Sequence, residues 1–340
     1  MCWQVIEMRA WVVDRPSRMR HGPLDLATKS VPEPAPDEVL VRVRACGICR
    51  TDLHLAEGDL PPRRRRTVPG HQVVGEVSAT GDAVDRFAIG DRVGIAWLRN
   101  TCGHCRFCRA GRENLCPRSL YTGWDADGGL AEYAVVPQAF AYRLPDTYDD
   151  EQVAPLLCSG IIGYRALERA RVPSGGRLGI YGFGSSAHIT AQIATARGAE
   201  LYVMTRGEGN QRLARELGAA YVAGPTEHPP AELDSAIVFA PAGELVPLAL
   251  RALGPGGTVS LAGIHLSDVP SMTYADHLFG ERDLRSVTSN TRQDGEELLR
   301  LAARLQLDVH TTAVGFDEVA DALTALADGR TSGSLVMVAG

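Results

Sequence analysis

The sequence predicts a two-domain α/β protein, with a doubly wound parallel sheet in one domain and mainly antiparallel β structure in the other. Three observations predict it. The chain has 340 residues, more than one hydrophobic core usually fills. Up to about residue 150 its apolar runs are short, β-like and punctuated by Gly and Pro. Beyond that point, short apolar strands alternate with amphipathic helical segments, the pattern of a parallel sheet.

Residues 39–45 alternate apolar and polar side chains, as a half-buried strand does. Further strand-like segments follow at Val73–Val77, Gly90–Val93 and Ala131–Val136. In the second half the expected order is strand Arg177–Tyr181, helix 187–197, strand Glu200–Met204 and helix Asn210–Leu217. Strand Ser235–Phe239, helix 244–253 and strand Thr258–Ala262 come next. From about 288 the pattern returns to isolated helices and one last strand, Ser334–Val338, suited to packing back on the first domain. The expected boundaries are 1–152 with 288–340 for the β domain, and 153–287 for the parallel-sheet domain.

The composition, 45% hydrophobic and 22% charged, excludes wholesale disorder. A net charge of −6 makes nucleic acid an unexpected partner. No apolar stretch approaches the ~20 residues of a membrane span. The first residues carry Glu7 and Arg9 where a signal peptide needs an apolar run, so a cytoplasmic protein without a membrane partner is expected. One basic run, Arg63–Arg66, reads as a solvated loop between Pro61-Pro62 and Pro69-Gly70; a phosphate-rich ligand is its other reading.

Eight cysteines stand at positions 2, 46, 49, 102, 105, 108, 116 and 158. Cys102, Cys105, Cys108 and Cys116 form CxxCxxCx7C, and consecutive two-residue gaps let thiolates converge on one ion. Four thiolates close a tetrahedron, so loop 98–118 is expected to hold a structural zinc; an iron–sulfur cluster is the other possibility. Arg106, Arg109 and Arg112 could offset its charge, and His104 reads as a surface residue.

Taken alone, His71 reads as a hydrogen-bonded core histidine and Cys158 as a small buried apolar residue. Their segments tell more together. Cys46-Gly47-Ile48-Cys49-Arg50-Thr51-Asp52-Leu53-His54, Gly70-His71-Gln72-Val73-Val74-Gly75, the four-cysteine loop, Leu156-Leu157-Cys158 and a glycine turn at 182–187 occur in one order. In that order they resemble the zinc-dependent alcohol dehydrogenases of the medium-chain dehydrogenase/reductase superfamily, over nearly the whole chain. The resemblance implies a GroES-like catalytic domain and a Rossmann cofactor domain. It implies two zinc ions per chain, the catalytic one held by Cys49, His71 and Cys158 with a position open to an alcohol. Cys46 is then left to packing, and Cys2 is given no assignment. Thr51 matches the hydroxyl that bonds the substrate oxygen, and His54 the residue that passes the proton outward by way of the cofactor ribose. Asp52 is placed to orient a ligand or this relay, turn capping being its plainer reading. Gln72 stands where most members carry glutamate, which puts a ligand-exchange role there in doubt.

Leu178-Gly179-Ile180-Tyr181 leads into Gly182-Phe183-Gly184-Ser185-Ser186-Ala187, a GxGxxA turn between a strand and a helix. Glycines admit the pyrophosphate of a nicotinamide dinucleotide to the backbone, where the helix N-terminus stabilises its charge. An NAD enzyme usually places an acid about 20 residues on; this chain has Met204-Thr205-Arg206-Gly207 there. Thr205 and Arg206 would bind a 2′-phosphate, which points to NADP(H) over NAD(H), although Glu208 works against the preference. By the resemblance, Arg50 can contact the pyrophosphate, while Ser334 stands where an arginine often makes a second contact.

The resemblance also places Trp97 and Leu60 at the substrate pocket, with Leu60 replacing a common tryptophan. Trp124 could bound the same pocket or belong to the core. These residues favour medium-chain or aromatic alcohols and aldehydes over ethanol alone. A polyol or other medium-chain dehydrogenase stays open as an alternative, as does a non-enzymatic zinc or nucleic-acid-binding module. The resemblance suggests a homodimer or homotetramer.

Overall fold

The computed structural model describes residues 6–263, 265–331 and 333–339; Cys2 lies outside them. The chain divides into two compact units. The first runs as far as Cys158 and takes in Thr291–Ala303 and the chain from Val309 onward. Its strands are β1 (Glu7–Val13), β2 (Leu24–Ser30), β3 (Glu38–Ile48), β4 (Gln72–Thr80), β5 (Arg92–Ile95), β6 (Leu98–Asn100), β7 (Leu120–Tyr121), β8 (Tyr133–Pro137) and β9 (Ala141–Arg143).

The second unit comprises Ser159–Asn290 with Arg304–Asp308. It contains β10 (Arg177–Tyr181), β11 (Glu200–Met204), β12 (Tyr221–Ala223), β13 (Leu233–Val238), β14 (Leu253–Leu261) and β15 (Asp283–Ser286). The chain then returns to the first unit with β16 (Thr311–Gly315) and β17 (Ser334–Val338).

The main sheet of the first unit has the order β16-β17-β3-β4-β5-β9, with β8 also paired to β3. Its pairs are antiparallel except β16 with β17. In β3 the alternation of Val41, Arg42, Val43, Arg44 and Ala45 puts the apolar side chains into the core and both arginines outward. Trp11 closes one side of this core and donates its indole N–H to the Phe316 carbonyl at 2.8 Å. The short β6–β7 ribbon closes the base of the four-cysteine loop.

The second unit holds a fully parallel sheet, β12-β11-β10-β13-β14-β15. Counted from β10 this order is 3-2-1-4-5-6, the dinucleotide-binding arrangement with its switch point beside the first strand. β10 and β11 fall on the residues expected, because both are buried apolar runs bounded by glycine or charge. The helix expected over 244–253 spans Leu245–Arg251, and Leu253 already belongs to β14. Strands β12, β15 and β16 are among those without an expected counterpart, as are β1, β2, β6, β7 and β9. β12 is three residues long, and Asp-Leu-Arg-Ser in β15 and Thr-Thr-Ala-Val-Gly in β16 are too polar or too small to show an apolar run. Parallel neighbours fix these edges instead. Among the described residues, no helix is long and apolar enough to cross a membrane.

Candidate active site

Three segments of the first unit bring Cys49, His71 and Cys158 together. Cys49 is the N-cap of helix Arg50–Glu57: its Sγ accepts from Thr51 N at 3.4 Å, and Asp52, three residues on, accepts from Cys49 N at 2.9 Å. The Cys-x-Thr-Asp order therefore builds both the cap and the site. His71 immediately precedes β4 and is buried. Gly70 before it has φ +96, and a Cβ there would lie 2.6 Å from Leu130 N and 2.8 Å from Cys46 Sγ, so only glycine fits this approach. Cys158 follows the short helix Ala154–Leu157. His71 Nε2 lies 3.5 Å from Cys49 Sγ and 3.3 Å from Cys158 Sγ.

Asp52 stands behind the imidazole. Its Oδ1 accepts from Gly70 N at 2.9 Å and faces His71 Nδ1 at 3.5 Å, so one buried carboxylate ties the helix, the glycine turn and the ring together. The electrostatics favour a cation among these atoms. Burial works against a charged imidazole, yet the Cys49 and Asp52 charges raise His71 to about 10. The hydrogen bond from Cys158 lowers Cys49 to about 5, against its burial. The same bond, together with burial, pushes Cys158 up. Burial opposes the ionised Asp52 too, but the His71 charge prevails and holds its carboxyl low.

Cys102, Cys105, Cys108 and Cys116 also converge, with ligand atoms within 4.8 Å of one another. Backbone amides aim at the sulfurs: Cys105 N donates to Cys102 Sγ at 3.3 Å, and Cys102 N and Arg118 N each donate to Cys116 Sγ at 3.4 Å. These donors favour thiolates; hydrogen bonds from the His104 backbone and its neighbours lower Cys102 to about 5. His104 is exposed and turned to Arg118, while Arg106, Arg109 and Arg112 are exposed around the loop. Glu113 in the loop accepts from Arg292 N, Nε and Nη2 at 2.7–3.0 Å, anchoring it to helix Arg292–Leu305. Cys46 is buried against Gly70, beside His71, with Sγ 3.7 Å from the Gly47 carbonyl.

In the second unit, Gly182 to Ala187 form the turn from β10 into helix Ser185–Ala196. Gly182 has φ +88, and a Cβ would meet Ala240 N at 2.9 Å. Gly184 is the N-cap, without side-chain capping, and a Cβ there would meet nothing within 4 Å. Ser185 Oγ bonds Ser159 Oγ at 2.8 Å. The structure commits the buried Thr205 hydroxyl to the turn, accepting from Phe183 N at 3.2 Å, whereas Arg206 is exposed.

The model for the alcohol dehydrogenase GroES-like domain matches residues 35–146, and that for zinc-binding dehydrogenases matches residues 187–304. "Probable alcohol dehydrogenase AdhA" of Mycobacterium tuberculosis is 56% identical over 336 residues, 97% of each chain. The chain belongs to the zinc-binding alcohol dehydrogenases. Acetophenone reductase of Geotrichum candidum, solved in complex with NAD, has a TM-score of 0.88 at 26% identity and covers 98% of this chain and 97% of its own. A Sinorhizobium meliloti protein described as a zinc-binding dehydrogenase, bound to NADP, has a TM-score of 0.86 at 27% identity, covering 98% and 99%.

In this family member Thr51 is buried and His54 lies partly exposed one turn along the same helix. Arg50 is exposed at the helix start, and Leu60 N bonds the His54 carbonyl at 3.0 Å. Trp97 meets His71 edge-on, with centroids 5.0 Å apart, and stacks with Tyr121 and Trp124. Gln72 is buried over Gly47, where a Cβ would meet its side chain at 2.7 Å; Ser334 is buried in β17. Sequence reasoning missed two residues. Asp59 Oδ2 holds His54 Nδ1 at 3.1 Å, and Tyr121 joins the aromatic wall. A carboxylate five residues after a helical histidine was the available signal for the first; no local signal marks the second.

Proposed function

We propose that the protein interconverts an alcohol and its aldehyde by hydride transfer to or from NADP(H), with a catalytic zinc on Cys49, His71 and Cys158 and a structural zinc on the four-cysteine loop. The observation that carries this reading is the convergence of Cys49 Sγ, His71 Nε2 and Cys158 Sγ around one point, with Asp52 behind the imidazole. The spacing fits the ion. Zinc–sulfur bonds of about 2.3 Å and zinc–nitrogen bonds of about 2.0 Å put a tetrahedral sulfur–nitrogen pair about 3.5 Å apart, and the two sulfur–nitrogen distances here are 3.5 and 3.3 Å. Two thiolates and a neutral imidazole leave a dication formally neutral, which suits a buried site.

When bound, zinc supplies Lewis acidity that lowers an alcohol hydroxyl's pKa, and the dinucleotide supplies the hydride acceptor. The chain's own residues handle the proton. The Thr51 hydroxyl would take the alcohol proton while giving up its own, and His54, whose side chain is partly exposed, would pass a proton to solvent. Asp59 fixes His54 at Nδ1, and Asp52 holds His71 with Nε2 toward the sulfurs.

The uncapped helix behind Gly182 and Gly184 would receive the pyrophosphate. With Thr205 used inside the turn, the preference for NADP(H) rests on the exposed Arg206. The pocket residues Trp97 and Leu60 favour medium-chain or aromatic alcohols. An oligomer is supported by β15 standing at the edge of its sheet with Leu284 exposed, and by the exposed Tyr274 and Phe279, in edge contact at 5.9 Å. Seven free thiols among the described residues suit a reducing, cytoplasmic compartment.

A turnover screen of ethanol, hexanol, benzyl alcohol and their aldehydes with both cofactors tests the function. Activity with NADP(H) and the highest kcat/KM for hexanol or benzyl alcohol are expected; no turnover would overturn the reading, and ethanol as the best substrate would overturn its pocket. Light scattering on wild type and Leu284→Arg tests the oligomer: a monomeric wild type would refute it.

A further inference from the structure

The run Arg63–Arg66 acquires a role only in the fold. Three of its four charges face carboxylates locally: Arg63 pairs with Asp125 at 2.7 Å, Arg64 with Asp127 at 3.5 Å, and Arg65 faces Asp14 at 3.9 Å. A phosphate-rich ligand would compete with these carboxylates. Arg63 makes a further contact of another kind. Its guanidinium carbon lies 3.6 Å from the centroid of the Trp124 ring. Trp124 in turn donates its indole N–H to the Pro61 carbonyl at 2.8 Å, so the loop grips this ring at its face and at its edge.

Trp124 belongs to an aromatic slab. Its centroid is 6.0 Å from that of Trp97 and 5.9 Å from that of Tyr121, and Trp97 and Tyr121 are 4.9 Å apart. The ring planes differ by only 13–29°. Three nearly parallel rings with centroids in a triangle cannot be a column, so none is sandwiched between the other two. Trp97 carries the slab to the site, meeting His71 edge-on at 5.0 Å. Contact thus runs unbroken from a half-exposed guanidinium to a residue of the candidate zinc centre, all within one unit.

We infer that Arg63 is a positioning residue that sets specificity: by clamping Trp124 it fixes the aromatic slab against which the ring of an aromatic alcohol lies. This rests on the alcohol-oxidising reading above. Asp125, only 10% exposed, holds the guanidinium in place, and the cation favours the ring face beneath it. Arginine can fork to a carboxylate while lying flat on an indole; lysine cannot do both. Ethanol is too short to use the slab, whereas an aromatic substrate gains from a wall already in place.

The test compares Arg63→Ala, Arg63→Lys and Asp125→Asn with wild type, all as zinc-loaded full-length protein. Two quantities are read: the ratio of kcat/KM for benzyl alcohol to that for ethanol, and the near-ultraviolet circular dichroism of the coupled indoles. Arg63→Ala should lower the ratio about fivefold, chiefly through KM for benzyl alcohol, and diminish the indole signal. Arg63→Lys and Asp125→Asn should fall between Arg63→Ala and wild type on both readouts. A ratio within twofold of wild type in Arg63→Ala, or an unchanged indole signal, overturns the inference. If wild type oxidises neither alcohol, the functional reading fails and the indole signal alone decides the clamp. Should Arg63→Ala not fold, the other two variants are judged by the same criteria.

Discussion

Asp52→Asn is the substitution that separates holding a metal ligand from merely filling space. The wild-type carboxylate does three things at once: it accepts from Cys49 N and Gly70 N, each at 2.9 Å, and faces His71 Nδ1 at 3.5 Å. Asparagine keeps the shape but offers one carbonyl oxygen to two amide donors, so one buried N–H must face an NH2 group. Leaving such a group unsatisfied costs about 1–3 kcal/mol. The variant also loses the negative charge behind the imidazole, and removal of such a supporting partner lowers metal affinity by about 10–100-fold. Both effects can be measured on one preparation. Chelator competition should show one zinc site weakened by that factor and the other unchanged, and urea unfolding of the zinc-loaded protein should show the stability loss. Zinc affinity equal to wild type at both sites would refute the argument that Asp52 acts through His71.

Other predictions follow from single contacts. Gly70→Ala forces a Cβ to 2.6 Å from Leu130 N at φ +96; the strain should cost about 1–3 kcal/mol or more, and an unchanged Tm would contradict it. Arg206→Ala should weaken NADPH more than NADH in fluorescence titration, and equal losses would remove the case for a 2′-phosphate contact. Glu113→Gln should destabilise the protein by about 1–3 kcal/mol at neutral pH by releasing Arg292. Burial raises the Glu113 pKa, but the Arg292 hydrogen bonds outweigh it and hold it below 4.5. Its stabilisation is therefore complete above the unfolded value and is lost as pH falls through the depressed folded one. The difference between wild type and variant should shrink on acidification below about 4.5; a pH-independent difference would contradict the assignment.

Much of the fold is legible where local pattern and tertiary context agree. β10 and β11 are buried runs flanked by breakers, and the glycine turn between β10 and its helix lies in sequence as it lies in space. The grouping of Cys49, His71 and Cys158 came from resemblance, because 22 and 87 residues separate His71 from its neighbours and no local pattern joins them. Other features depend wholly on distant partners. β15 and β16 are strands because β14 and β17 pair with them. Thr205 reads as a phosphate ligand until Phe183 N, 22 residues earlier, takes its hydroxyl. Arg63 reads as a solvated charge until the fold brings Trp124 and Asp125 beside it.

The most direct test of the central claim is the zinc content of purified wild type and Cys158→Ser, measured by mass spectrometry alongside turnover of benzyl alcohol. Two zinc ions per chain and activity are expected in wild type, and one zinc ion and no activity in a folded Cys158→Ser. One zinc ion in active wild type, or two in an active Cys158→Ser, would contradict it.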